Sequence, residues 1–156
     1  MIIRHFSEQD LPQVLQLLRE IRQYHIDILD GYFAEQNDEL ERAGLLQSLS
    51  DDKIIALVAE EDNKICGYLL AEQKFSYHLQ APNIVHVSNF GVGQNMRSKG
   101  IGKKLMDTLL DLCQTRGIDE IRLGVFNKNI AAYKFYETYG FQPFEQRMHF
   151  LIKKKL

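Results

Sequence analysis

Apolar positions along the chain recur with two different periods, and the switches between them predict the elements. Residues 2–6 favour a first strand. Leu11, Val14, Leu17, Leu18 and Ile21 then fall on one face of a helix predicted to run to about Tyr24. Ser7, with Asp10 three residues on, marks its start, and Pro12 suits its first turn. From His25 to Phe33 aromatic, apolar and acidic residues mix without a period, as in a lid. A second helix is predicted over 39–49, with Leu40, Ala43 and either Leu46 or Gln47 on its apolar side. Strands over 54–59 and 65–75 flank a hairpin turn at 61–64. A loop over 76–83 containing Pro82 leads to an apolar strand over 84–92. Ile101, Leu105, Leu109 and Leu112 then return to helical spacing, and Gly117 ends that helix. A strand over 120–125, a helix over 130–139 closed by Gly140, and one or two strands within 141–152 complete the order. By itself this pattern supports an α/β or α+β domain.

Composition narrows the class. With 156 residues, 45% of them apolar, the chain is the size of one domain, residues 1–156, able to bury a core without disulfide or metal. A net charge of -2 gives no general attraction to nucleic acid or to an anionic membrane, and neither is expected as a partner. The terminal run Lys153 to Lys155 reads as a solvated tail. Cys66 and Cys113, both in apolar segments, suggest buried free thiols in a reducing cytoplasm, and no zinc or other metal site is visible. No segment approaches about 18 uninterrupted apolar residues, so a soluble cytoplasmic protein is expected.

The chemistry concentrates where the 84–92 strand gives way to a helix, in Gly91-Val-Gly-Gln-Asn-Met-Arg97-Ser-Lys-Gly100-Ile-Gly102-Lys-Lys. A helix N-terminus offers unpaired N–H groups and partial positive charge, enough to hold a phosphate oxygen. Gly100 and Gly102 keep Cβ atoms out of that approach, while Arg97, Lys99, Lys103 and Lys104 add charge. The alternative is a loop that uses glycine only to turn. A P-loop is excluded, because Ser98-Lys99-Gly100 stands where Gly-Lys-Ser/Thr is required. A dinucleotide fingerprint is excluded by Met96 at its third small position and by a helical Asp111 where a strand-end carboxylate should be.

Arg97-x-x-Gly100-x-Gly102, entered from a strand and followed by an apolar-faced helix, resembles the acyl-CoA-binding motif of the GNAT superfamily of N-acetyltransferases. A second stretch, with Asn129, Ala132, Tyr136 and the closing Gly140-Phe141 in order, resembles that family's later motif. Together they cover the chain from about Ile84 to Phe141. The resemblance implies a mixed, mostly antiparallel sheet with helices on both faces and splayed fourth and fifth strands. It also implies acetyl-CoA as co-substrate, without metal, and direct attack of a primary amine on the thioester through a tetrahedral intermediate. Phe90, Val92, Arg97, Ser98, Lys99, Gly100, Ile101, Gly102, Lys103, Asn129 and Tyr136 would then line the cofactor, and a backbone N–H near Val92 would meet the oxyanion.

Tyr136 occupies the family's tyrosine position, where a phenol can protonate the departing thiolate; the alternative is a half-buried aromatic on an amphipathic helix. Asn129 reads either as a helix cap, with Asn127 as a rival, or as a contact to pantetheine. Some family members carry a glutamate about eleven residues before the motif's first residue, and His86 stands there as the candidate base. A structural histidine is the alternative, and His25, Asp27, Asp30 and Glu72 are other candidates for binding the amine or relaying its proton. The amine acceptor, drawn from small molecules or peptides, would lie between 25–33 and 75–82. Proteins of this kind are often dimers, and a homodimer is compatible with this chain. A CoA-binding sensor or interaction module without turnover is the competing reading, and a nucleotide-binding regulator is a third.

Overall fold

The computed structural model describes residues 1–152, so the Lys153 to Lys155 tail lies outside the described residues. The chain divides into two compact units, Met1–Gly124 and the part from Val125 onward.

The first unit is built on a sheet of five strands in the order β1-β2-β3-β4-β5. These are β1 (Ile2–His5), β2 (Ile54–Glu61), β3 (Lys64–Phe75), β4 (Asn83–Val92) and β5 (Glu120–Leu123). All neighbours are antiparallel except β4 and β5. Three helices belong to the same unit: α1 (Leu11–Ile28), α2 (Asp38–Leu49) and α3 (Ile101–Thr115). Side chains alternate across a strand. Ala56, Val58, Tyr68 and Leu70 therefore share one face, where they cluster with Leu11, Val14, Leu17 and Leu18 of α1 and Leu45 of α2. The opposite face receives α3, because a Cβ built on Gly67 would stand 3.1 Å from both Ile101 and Leu105.

Local chemistry sets the element ends. Asp10 accepts from the backbone N–H of Ser7 at 2.8 Å, closing a 3₁₀ turn at Glu8–Asp10 that leads into α1. The same carboxylate takes two guanidinium bonds from Arg4, at 2.7 and 2.8 Å, and Arg4 also donates to Glu60 at 2.6 Å. One cation thus ties β1, β2 and the start of α1 together, and holds the Asp10 carboxyl below its usual range. The β2–β3 hairpin turns at Asp62 and Asn63, both at positive φ, as a two-residue primed turn requires. After α3, the N–H groups of Gly117 and Ile118 bond back to Gln114 and Cys113 at 3.2 and 2.9 Å, a Schellman stop.

Three expectations need correction. α1 does not end near Tyr24 but continues to Ile28, closed by a Gly31 N–H bonded to the Ile26 carbonyl at 2.9 Å. That last turn carries half-buried Tyr24 and His25, whose polar edges hide the helical period. In α2 the core face is Leu45, with Leu46 and Leu49 beside it; Leu40 is 71% exposed and Ala43 is exposed too. Beside that apolar contact, α2 is tied to α1 by ion pairs, Arg19 with Asp38 and Arg22 with Glu41.

The third concerns the second unit, which holds α4 (Ile130–Thr138) and no strand among its described residues. Apolar residues recur at 141, 144, 148 and 150–152, without the strict period of two that a half-buried strand shows. Phe144, Met148 and Phe150 are 73–91% exposed. The apolar burial that would offset the ordering of a strand is not made there.

Candidate active site

β4 is longer than its parallel partner. The β4–β5 register begins at Ile84–Glu120 and stops at Val87–Leu123, while β4 runs on to Val92. Opposite β3, Leu70 pairs with Asn89 but Ala71 pairs with Val87, so Ser88 is an extra residue that bulges the strand where its contact with β5 ends. Past the bulge, the N–H of Gly93 donates across to the Cys66 carbonyl of β3 at 2.9 Å. Backbone groups alternate along a strand, so those of Phe90 and Val92 turn the other way, to the edge beyond the end of β5. The side chain of half-buried Phe90 stands opposite Leu69.

The chain then makes a 3₁₀ turn at Gln94–Met96 and enters α3 through two residues in left-handed conformation, Ser98 at φ 64° and Gly100 at φ 77°. Arg97 before them is extended, so the chain turns sharply between the 3₁₀ turn and the helix. The first intrahelical bond of α3 runs from Lys104 N–H to the Gly100 carbonyl at 3.1 Å. Ile101, Gly102 and Lys103 precede it, where the helix itself offers their N–H groups no acceptor. Glycine at the cap has no side chain to satisfy them, and an added Cβ at Gly100 would meet no atom within 4 Å. The space before the helix is therefore open to an anion. The Ile101 side chain is buried, so only its backbone can face that space.

Charge surrounds the opening. Arg97, Ser98, Lys99, Lys103 and Lys104 are all exposed. The Lys99 ammonium lies 3.4 Å from Met96 Sδ, and Lys103 pairs with Asp107 one turn on at 2.7 Å. Arg97 Nε is 3.5 Å from the Val92 carbonyl, and its guanidinium carbon sits 4.8 Å from the ring centroid of Tyr24 on α1. α1 crosses this end of β4 closely: a Cβ on Gly91 would lie 2.0 Å from Ile21 Cδ1, and one on Gly93 3.3 Å from Leu17 Cδ1. Sequence reasoning missed Tyr24 as a neighbour of the cradle. Leu17, Ile21 and Tyr24 follow one another at four and three residues, and that continued stripe was the available signal.

Beyond Tyr24 the aromatic ring of His25 lies 6.0 Å from Phe33, and Arg22 lies 6.0 Å over the Phe33 ring. Burial, and then the nearby Arg97 and Arg22 charges, lower the His25 pKa. The other candidate bases are spread along the fold. Asp27 accepts from Gln23 at 2.8 Å, Asp30 sits in the turn after α1, and Glu72 pairs with Lys74 at 2.9 Å. His86 is half-buried on β4, between Glu72 of β3 and Arg122 of β5 in the register, one residue before the β4–β5 pairing ends. On a rise of about 3.3 Å per residue it is roughly 20 Å down the strand from Val92.

In the second unit Asn129 is buried and its Oδ1 accepts from Ala132 N–H at 3.2 Å, so Asn129 rather than Asn127 caps α4. The Tyr136 carbonyl anchors the end of the helix, accepting from Phe141 N–H at 3.2 Å. Its ring meets Phe141 edge-on at 5.8 Å, and burial pushes its phenol up to about 12. Among the described residues no group of three or more His, Cys, Asp or Glu could hold a metal ion, and no helix is long and apolar enough to cross a membrane.

Known proteins resemble this chain in sequence and in fold. Residues 14–141 match the Acetyltransferase (GNAT) family. The L-amino acid N-acetyltransferase AaaT of Escherichia coli K12 is 26% identical over 147 residues, covering 90% of this chain and 82% of that protein. In fold, a mutant of the BH1408 protein from Bacillus halodurans superposes with a TM-score of 0.89 at 23% identity, over 98% of this chain and 100% of the other. The aminoglycoside N-acetyltransferase AAC(6')-Iy, in complex with CoA, does so with a TM-score of 0.77 at 18% identity, over 99% and 95%. A bulged β4 that outruns β5 into a glycine-opened helix is thus found in a chain that belongs to the GNAT family of acetyltransferases and is an N-acetyltransferase.

Proposed function

We propose that this enzyme uses acetyl-CoA and moves its acetyl group to a primary amine of a small molecule or peptide by direct attack on the thioester. The observation that carries this reading is the left-handed pair Ser98 and Gly100 opening α3 immediately beyond the part of β4 that β5 does not reach. The N–H groups of Ile101, Gly102 and Lys103, with Ser98 and the charges of Arg97, Lys99 and Lys103, hold the pyrophosphate. Backbone groups of Phe90 and Val92 run beside the pantetheine arm, which Asn129 also contacts, and the Val92 N–H stabilises charge on the thioester oxygen. A CoA complex of a protein with the same fold supports this assignment.

Two side chains manage protons. The amine has an ordinary pKa of about 10.4 and must lose a proton before attack; His86, roughly 20 Å down β4 from Val92, accepts it only at the end of a chain of several waters. Tyr136 returns a proton to the CoA thiolate. With its pKa pushed up to about 12, it stays protonated across the working pH range. The whole chain, 1–156, acts as a single N-acetyltransferase domain in the cytoplasm, and a homodimer is compatible with this role. Acidic and aromatic residues between His25 and Phe33 suit a cationic amine.

Acceptor-dependent release of CoA thiol from acetyl-CoA, followed across amines, amino acids and peptides, tests the activity. Tyr136→Phe should lower kcat by about 10- to 100-fold while leaving acetyl-CoA affinity within about twofold. Equal kcat in the two proteins would remove the tyrosine from the proton path. Tight CoA binding with no acetyl transfer to any acceptor would favour the sensor reading instead.

A further inference from the structure

We infer that Tyr24 is a positioning residue for acetyl-CoA: its ring holds the Arg97 guanidinium in the pose from which that side chain meets the pyrophosphate. This rests on the phosphate-cradle reading above.

The guanidinium carbon lies 4.8 Å from the Tyr24 centroid, within the roughly 6 Å range of a cation–π contact. A guanidinium lying parallel on a ring keeps its N–H donors, all in its own plane, clear of that ring. Stacking on Tyr24 and donating to phosphate oxygens are therefore compatible. The contact from Nε to the Val92 carbonyl, at 3.5 Å, is too long to fix the side chain alone. An exposed arginine on a loop samples many rotamers and forfeits that freedom when it binds a ligand; a stack on a fixed ring removes part of the freedom beforehand.

Tyr24 is such a ring. It is half-buried on a helix whose previous turn is pinned over β4 by Ile21 against Gly91. It also tilts against His25, centroids 5.7 Å apart, and His25 in turn meets Phe33. Burial and the neighbouring arginines lower the His25 pKa, which disfavours a second cation beside Arg97, and Arg22 is engaged with Glu41. The cofactor cradle is thereby braced by α1, an element outside both glycine-containing motifs.

A double-mutant cycle tests this by titrating acetyl-CoA into wild type, Tyr24→Leu, Tyr24→Phe, Arg97→Ala and the Tyr24→Leu/Arg97→Ala double variant. Leucine preserves helix propensity and removes the π face. Tyr24→Leu should raise Kd about three- to tenfold, and Tyr24→Phe should stay within about twofold of wild type. In the Arg97→Ala background, Tyr24→Leu should have no further effect. An unchanged Kd in Tyr24→Leu, an equal loss in Tyr24→Phe, or the same loss with Arg97 already absent would overturn the inference. Absence of acetyl-CoA binding by the wild type would instead sink the cofactor reading, and this inference with it.

Discussion

Ser98 and Gly100 both hold positive φ, yet only one of them announced it. Glycine is the residue that takes left-handed backbone without strain, so the motif Arg97-x-x-Gly100-x-Gly102 was legible as a turn into a helix. Serine carries no such mark, and its left-handed turn could be found only in the structure. The stack of Arg97 on Tyr24 was equally hidden, since it joins residues 73 positions apart. His25 offers a test at this scale. Its folded pKa lies below the ordinary 6.5, because burial and then the Arg97 and Arg22 charges oppose protonation. Below 6.5 the unfolded chain therefore binds more protons at this residue than the folded one. Stability is lost as pH falls from 6.5 towards the folded value, and the residue adds no pH dependence above 6.5. Denaturant midpoints at two pH values, one well above and one well below this value, should show a smaller acid loss in His25→Gln than in wild type. Equal losses would show that the residue does not report the burial and charge described.

At the scale of elements, strands and helices followed their periods wherever one face met the core. The order of elements through α4 stands as expected, with β5 and α4 slightly shorter than predicted. Legibility failed where another interaction replaced apolar burial. On α2 the ion pairs with α1, Arg19–Asp38 and Arg22–Glu41, accompany the burial of Leu45, while Leu40 is left exposed. The bulge at Ser88 left no pattern of its own, although it separates the paired part of β4 from the part that forms the candidate site. The close crossing of α1 and β4 is directly testable. Gly91→Ala places a methyl 2.0 Å from Ile21 Cδ1 and 3.4 Å from Tyr68 Cε1, and should destabilise the protein by about 1–2 kcal/mol. Ile21→Val removes that Cδ1 atom, so it should cost less in the Gly91→Ala background than alone. Strict additivity in chemical denaturation would contradict the proposed contact.

For the whole molecule, the glycine stretch and the later asparagine–tyrosine stretch were enough to identify the family, and residues 14–141 belong to it. The acceptor was not legible, because it depends on loops whose composition fits several amines. A mixed sheet covered by helices on both faces presents the end of β4 and the start of α3 at one place, and the account stands on what that place binds. Gly100→Asp and Gly100→Asn isolate the claim. Both side chains tolerate left-handed backbone better than most, they are nearly isosteric, and only the aspartate brings negative charge to the mouth of the helix. Calorimetric titration with acetyl-CoA should give an affinity at least about tenfold weaker for Gly100→Asp than for Gly100→Asn, a gap that narrows as salt is raised. Equal affinities in two folded variants would mean that no phosphate sits at the N-terminus of α3.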